Sequence, residues 1–428
     1  LASYLQKRAL YPPLITQPPA DDLQLVVVIP AREEGLLLRS LDNLYHCDPP
    51  ACAVEVIVVI NSSEEDAEEV KAYNLQTLWE ATQWSEKYNT DKLRFHLLHF
   101  PGLPAKHAGV GLARKIGMDE ACRRLEGAGH PNGVIACFDA DSRCDANYLT
   151  ALEAHFREHP DTQACSVYFE HPLQGDDHPT EVYRAIAQYE LHLRYFIDAQ
   201  RYVGFPFAYQ TIGSSMAVRC DAYQQQGGMN RRKAGEDFYF LHKFTALGHF
   251  SELNSTRIIP SPRPSHRVPF GTGRAVREML ETGGTYLTYA PDSFEDLRVL
   301  PEIIPELYKL KDADWPAFAK KLPDSLRTFM EMIDARKRIA NIRRHTNSPE
   351  TFAKRFYRWF DAFQVMKFMH FARDRYYPNV PVAGAAKTFT KLLKFRKRMT
   401  VLQEREADPV KNLLLEFRRF DRRRGDVY

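Results

Sequence analysis

The chain has 428 residues, of which 44% are hydrophobic and 26% charged, with a formal net charge of +3. That length accommodates one large α/β domain and a smaller appendage, and the composition is that of an ordinary globular chain. No apolar run approaches the ~20 residues of a membrane-spanning helix, and residues 1–22 lack the basic-then-apolar layout of a signal peptide.

Residues 1–22 read as an arm punctuated by Pro12, Pro13, Pro18 and Pro19, and because the first residue is Leu a trimmed N-terminus is expected. Leu25-Val26-Val27-Val28-Ile29-Pro30 is an apolar, β-branched run stopped by proline, which predicts a buried strand. Leu36, Leu37, Leu41 and Leu44 recur at helical spacing. A second strand is predicted over 54–60, followed by Ser62 and Glu65 at capping-box spacing and a long polar helix to about Tyr88. Residues 93–100 read as a third strand, 109–125 as a helix after a glycine-bearing loop, and 133–138 as a fourth strand. Asp145 is the expected N-cap of the next helix. The alternation β-α-β-α-β-α-β predicts a mostly parallel central sheet with helices on both faces. Further strands are expected over 163–169 and 209–218, with helices over 179–202 and 238–247. Beyond 276 the pattern turns helical, with an aromatic stripe of Phe352, Phe356, Trp359, Phe360, Phe363 and Met366, and a second beginning Phe389, Leu392, Leu393 and Phe395. The domains are therefore an arm (1–22), an α/β domain (23–276) and a helical C-terminal subdomain with a basic tail (277–428).

The chain is organised around Asp139-Ala140-Asp141, where the fourth strand leaves the sheet. Ligand crevices of open α/β sheets lie at the carboxyl ends of strands, and two acids there repel each other unless a cation lies beside them. Mg²⁺ or Mn²⁺ carrying a diphosphate is the simplest such partner; a solvated turn is the plain alternative. The loop Lys106-His107-Ala108-Gly109-Val110-Gly111-Leu112-Ala113-Arg114-Lys115 offers small residues, a helix start and two cations to an anion. It is no dinucleotide fingerprint, since Arg114 stands at the third glycine position and the loop follows the third strand. No P-loop occurs. Capping of a helix start is the plain reading of Glu236-Asp237, and His155 and His159 read as a solvated helix face.

The ordered set Val26-Val27-Val28-Ile29-Pro30-Ala31-Arg32-Glu33-Glu34, Asp139-Ala140-Asp141 and Gly235-Glu236-Asp237-Phe238 resembles the family 2 inverting glycosyltransferases over roughly residues 23–274. The resemblance implies a GT-A type, Rossmann-like fold, a UDP- or GDP-sugar donor, and a divalent metal cofactor, Mn²⁺ or Mg²⁺. By that resemblance Pro30, Ala31, Arg32, Glu33, Asn61, Arg114, Asp139 and Arg267 bind the donor. Asp139 and Asp141 hold the metal, and His266 is its third ligand or else a surface or packed histidine. Asp237 is the general base and Glu236 a neighbouring contact on the acceptor or the phosphate side. Asn61-Ser62 departs from an acidic pair common in the family at that point, which leaves the nucleotide base open. Residues 270–274 are expected to form a flexible loop over the donor, with Arg263, Arg267 and Arg274 near its phosphates. The aromatic stretch from Tyr189 to Tyr209 suits either an acceptor wall or core packing. The acceptor is expected to be a glycan, a lipid-linked sugar or a small molecule.

Two other readings stand beside this one. A sugar-phosphate nucleotidyltransferase would want a glycine-rich, basic loop after strand one, of which Ala31-Arg32-Glu33-Glu34-Gly35 is a poor version. A non-catalytic nucleotide-sugar-binding scaffold is opposed by the joint presence of Asp139, Asp141 and Asp237. The seven cysteines include no C-x-x-C pair, which predicts reduced thiols and a cytoplasmic location. From 387 to 428 thirteen Lys/Arg stand against six Asp/Glu, an excess of seven that leaves the remainder mildly acidic and argues against nucleic-acid binding. That tail suggests peripheral attraction to an anionic inner membrane face, at roughly 1 kcal/mol per well-placed cation, with Phe395, Leu413, Leu414, Leu415 and Phe417 as apolar anchors. Ion pairing within the subdomain is the alternative.

Overall fold

The computed structural model describes residues 3–267, 271–395 and 408–424, the side chains of 393–395 excepted. The β-branched runs form β1 (Leu23–Ala31), β2 (Ala53–Ser63), β3 (Leu93–Leu103) and β4 (Val134–Cys137). These pair in parallel in the order β3-β2-β1-β4. Every residue of β2 is buried, which is why its Val/Ile run shows no alternation. The crossovers are α2 (Leu37–Tyr45), α3 (Glu68–Tyr88) and α4 (Val110–Gly127), after a short α1 (Tyr4–Arg8). Beyond β4 come β5 (Arg143–Cys144), α5 (Tyr148–Glu158), β6 (Ala164–Phe169), α6 (Thr180–Tyr202), β7 (Met216–Arg219), α7 (Cys220–Gln225), α8 (Glu236–Thr245) and β8 (Phe250–Ile259). The eight strands make one sheet, ordered β3-β2-β1-β4-β7-β6-β8-β5, with β4·β7, β6·β7 and β5·β8 antiparallel. The expected class is therefore the one adopted: mixed α/β, a mostly parallel central sheet with helices on both faces, and a helical C-terminal region.

By compactness the chain divides into one unit of Leu1–Ile186, Thr211–Glu278 and Asp421–Tyr428, and a second of Ala187–Gln210 and Met279–Phe420. In the first, β2 lies on one side of β1 and β4 on the other, so the chain reverses its direction of winding at β1 and opens a crevice beyond the ends of β1 and β4. The N-terminal arm lies along α4. Leu14 and Ile15 N–H groups donate to Glu120, and the Tyr4 hydroxyl donates to Asp119 at 2.9 Å. With β1 and β2 on one face and the arm on the other, α4 is buried nearly all round and carries Arg114, Lys115, Asp119, Glu120 and Arg124 inside, each beside an opposite charge.

Several local expectations change. Asp145 does not cap α5: the N-cap is Asn147, and the Asp145 carbonyl accepts the Tyr148 N–H while its side chain pairs with Arg257. Ser62 and Glu65 form no capping box because β2 runs on through Ser63 and α3 starts only at Glu68. The strand expected over 209–218 is only Met216–Arg219. The polar-looking β8, unannounced in the sequence, packs beneath α5. It buries His155, whose Nε2 lies 2.8 Å from Ser251 Oγ, so the His155/His159 face is not a solvated one. Thr272, Gly273 and Arg274 belong to the helix α9 (Thr272–Thr282) rather than to a loop, and Phe270 lies outside the described residues. All seven cysteines are free and buried, as expected, and among the described residues no helix is long and apolar enough to cross a membrane.

In the second unit Phe352, Phe356 and Phe360 are fully buried, so the stripe is core. The aromatic stretch after Tyr189 is also packed: Tyr195 meets Phe294 and Phe389 edge-on. In the last helix, Pro409–Arg423, Leu414 and Phe417 are buried, and Arg418 pairs with the buried Glu190 at 2.6 Å. Leu414 and Phe417 are thus spent on packing and are not available as anchors, whereas Leu413 and Leu415 are half-buried; Phe395 lies outside the described side chains.

His192 sits among Tyr189, Phe196, Tyr286 and Tyr289, its Nδ1 2.7 Å from Thr288 Oγ1. Burial pushes its pKa down from 6.5 to about 4. Between those values the unfolded chain binds a proton that the folded chain refuses, so stability is greatest above pH 6.5 and is lost as pH falls toward 4. We expect a loss of about 2–3 kcal/mol over that window, measured as urea midpoints against pH, and expect His192→Gln to remove it. Parallel curves for the two proteins would refute the assignment.

Candidate active site

The crevice is lined by a chain of charged contacts that starts where β1 ends. Glu33 adopts φ +48°, in the left-handed region that side chains rarely enter. Its N–H donates to Asn74 Oδ1 at 2.8 Å, and its carbonyl accepts from Arg267 Nη2 at 2.7 Å. Asn74, wholly buried on α3, also donates to the Asn61 carbonyl at 3.0 Å, tying the ends of β1 and β2 together. Arg32 points the other way and pairs with Asp66 at 2.7 Å. Glu34 is buried between Arg263 at 2.5 Å and Arg267 at 3.2 Å. Arg263 reaches on to Asp141 at 3.1 Å.

Asp139 and Asp141 leave the end of β4 on a tight turn. The Ser142 N–H donates to the Asp139 carbonyl, and Ser40 Oγ lies 2.8 Å from the carbonyls of both Ala140 and Ser142. Asp139 Oδ1 accepts from Arg114 Nη2 at 2.6 Å, and Arg114 Nη1 contacts Glu236. Arg114 is 2% exposed. Burial alone would lower its pKa, but Asp139 and Glu236 more than reverse that, so the guanidinium stays charged. The contacts therefore run Arg267–Glu34–Arg263–Asp141, then Asp139–Arg114–Glu236, with five carboxylates (counting Asp237) around three guanidiniums.

Such an excess of acid has electrostatic consequences. Burial first, then the charges of Glu34 and Asp139, push the Asp141 carboxyl up to about 7 against the pull of Arg263 and Arg267. Burial pushes Glu236 up to about 7 as well, with Arg114 opposing and Asp237 adding to it. Asp237 is raised by burial, with Arg114 and the Phe238 N–H, which donates to Asp237 Oδ1 at 2.7 Å, pulling it back.

Gly235 starts α8 at φ +67°, a conformation that suits glycine and turns Glu236 and Asp237 in toward Arg114. Asn230 braces this corner by donating to the Glu236 carbonyl at 2.8 Å. Gly111 lets α4 approach it: a Cβ there would run into the carbonyl oxygen of Arg232.

Of the residues expected from sequence, Arg114, Asp139 and Glu236 meet in one cluster, with Asp237 the next residue along α8. Asp141, two residues beyond Asp139, is joined to Arg267 through Arg263 and Glu34, and Pro30, Ala31 and Asn61 stand at the ends of β1 and β2. His266 is exposed, its Nδ1 accepting from Arg277 at 2.6 Å, and among the described residues no contact joins it to either aspartate. Nor, among those residues, do three His, Cys, Asp or Glu side chains gather into one metal-binding group. The donor set at Asp139 and Asp141 still fits a hard divalent cation: carboxylate oxygens, crowded enough that one has its pKa raised to about 7. Asn74 went unnoticed in the sequence because the apolar residues of α3 are scattered round the helix, with Tyr73, Leu75 and Trp79 exposed, and mark no inward face.

No family model matches the chain, and no curated protein matches it. Among solved structures it is similar to TarS of S. aureus, residues 1–349, in complex with UDP-GlcNAc (15% identity, 75% of this chain and 89% of that one, TM-score 0.40). It is also similar to the mannosyltransferase PcManGT of Pyrobaculum calidifontis in complex with GDP-Man and Mn²⁺ (14% identity, 98% and 90%, TM-score 0.34). Both likenesses are weak.

Proposed function

We propose that this chain is a metal-dependent, inverting glycosyltransferase of the family 2 type, moving a sugar from a UDP- or GDP-sugar to an acceptor hydroxyl. The observation that carries the reading is the meeting of Asp139 and Glu236 on one buried guanidinium, at the mouth of the crevice where the strand order reverses. A nucleoside on the floor formed by Pro30, Ala31 and Asn61 would bring its diphosphate to Asp139, Asp141, Arg263 and Arg267. Asp139 and Asp141 would hold a divalent cation, with His266 the candidate third ligand. When bound, that cation would act as a Lewis acid on the departing diphosphate.

The remaining steps belong to the chain. Arg263 and Arg267 are already held on the carboxylates of Glu34 and Asp141, and a diphosphate would offer them further oxygens for the same forked geometry. Arg114 fixes Asp139 and Glu236 and prevents their mutual repulsion. Asp237 is free of that clamp and is raised by burial, as a group that takes a proton from the attacking hydroxyl should be. Inversion by direct displacement needs no enzyme nucleophile.

The test is calorimetric binding of UDP-GlcNAc and GDP-Man to the full chain with Mn²⁺ and then with excess chelator. We expect one donor to bind, at least about tenfold more weakly without metal. Binding of neither in both conditions would overturn the reading.

A further inference from the structure

We propose that the exposed bases of the loop before α8 form an anion site beside Asp237, and that the acceptor carries phosphate; this rests on the glycosyltransferase reading above. Arg231, Arg232 and Lys233 are consecutive and exposed. A second basic pair, Lys106 and His107, belongs to the loop that leads into α4. The two loops are packed together: a Cβ on Gly109 would lie 3.0 Å from the Lys233 Cα, and Gly111 abuts the Arg232 carbonyl. Neither segment, 104–113 or 222–235, contains an Asp or Glu. Among the described residues, none of Lys106, Arg231 and Lys233 makes an ion pair.

The loop is nonetheless ordered around its charges. Asn230 Oδ1 accepts the Arg232 N–H at 3.1 Å while its amide holds the Glu236 carbonyl. The Arg232 guanidinium stacks 3.6 Å from the centre of the Tyr239 ring, which fixes it without spending its N–H donors. Clustered like charges cost stability in a folded chain and raise the local concentration of an anion. Elsewhere in the crevice the guanidiniums are already balanced by Asp139, Asp141, Glu34 and Glu236; here the balance must come from outside.

Position decides which anion. Lys233 is four residues before Asp237, within at most about 14 Å of it along the chain. An acceptor whose hydroxyl reaches Asp237 is therefore within reach of Arg231–Lys233 with its other substituents. Arg263 and Arg267, the bases offered to the donor's diphosphate, stand at the other end of the contact chain, beyond Asp141. The phosphate recognised here is the acceptor's, on a soluble sugar phosphate or on a lipid headgroup.

The experiment measures two phosphate probes on the full chain with the donor site saturated by the nucleotide diphosphate and Mn²⁺. One is glucose 6-phosphate against glucose; the other is phosphatidylglycerol vesicles against phosphatidylcholine vesicles. We expect one phosphate probe to bind, the arm identifying its source. Arg231→Gln/Arg232→Gln/Lys233→Gln should weaken that binding by roughly tenfold or more while leaving nucleotide binding unchanged. Arg231→Lys/Arg232→Lys, which keeps the charge, should retain it. Absence of binding to both probes, or equal binding by parent and triple variant, overturns the proposal. If no nucleotide binds, the glycosyltransferase reading fails separately, and the same titrations without nucleotide still decide whether the patch holds phosphate.

Discussion

Asp237→Asn should bind the donor as the parent does and lose transfer by about 10²–10⁴-fold. The substitution is nearly isosteric, and an amide oxygen can still accept the Phe238 N–H that Asp237 Oδ1 accepts at 2.7 Å, so α8 keeps its start. What is lost is the ability to take a proton. Glu236 cannot stand in, because Arg114 engages it. Since burial raises the Asp237 pKa, transfer by the parent should rise with pH through that group's titration, and the residual rate of the variant should lack that limb. Measuring donor affinity alongside single-turnover transfer separates the two roles. Unchanged turnover would remove Asp237 from proton transfer; lost donor binding would make it a donor ligand instead.

How much of this was readable beforehand depends on what kind of signal each element carries. Strands buried on both faces, such as Val54 to Ile60, announce themselves as continuous apolar runs, and the parallel order followed from their alternation with helices. β8 was invisible because Asn254, Ser255, Thr256 and Arg257 interrupt it, as a strand with half-covered and exposed positions permits. The acids of the crevice were legible because Asp-Ala-Asp after an apolar run is a local pattern. Their counter-ions were not legible in the same way. Arg263 and Arg267 meet Glu34 across more than two hundred residues of sequence, and no spacing rule reaches that far. Asn74 is a similar case, because its buried position is set by where α3 crosses the ends of β1 and β2. The capping box at Ser62 failed for a different reason: strand pairing of β2 with β3 continues to Ser63, and the ladder outcompetes a local side-chain bond.

The largest loss of stability is expected at Arg114. Arg114→Met preserves most of the buried volume yet removes the only guanidinium that contacts both Asp139 and Glu236 among the described residues, leaving the Glu236 carboxyl without its counter-ion at 3% exposure. Breaking a buried pair from one side costs about 3–5 kcal/mol, a large share of the ~5–15 kcal/mol that holds a domain together. Asp139 contributes less to that loss, since its carboxylate is about one-third exposed and water can replace the guanidinium. The double variant Arg114→Met/Glu236→Gln should therefore recover about half of the loss or more, because it no longer buries an uncompensated charge. The sign of the pH dependence follows. Without Arg114 the Glu236 carboxyl moves further above its unfolded value, the folded chain binds the extra proton, and the single variant should lose stability as pH rises. The double variant should lack that slope. Chemical denaturation of the three proteins at several pH values reads all of this at once. A single variant within about 0.5 kcal/mol of the parent would mean that the buried cluster is not held by Arg114.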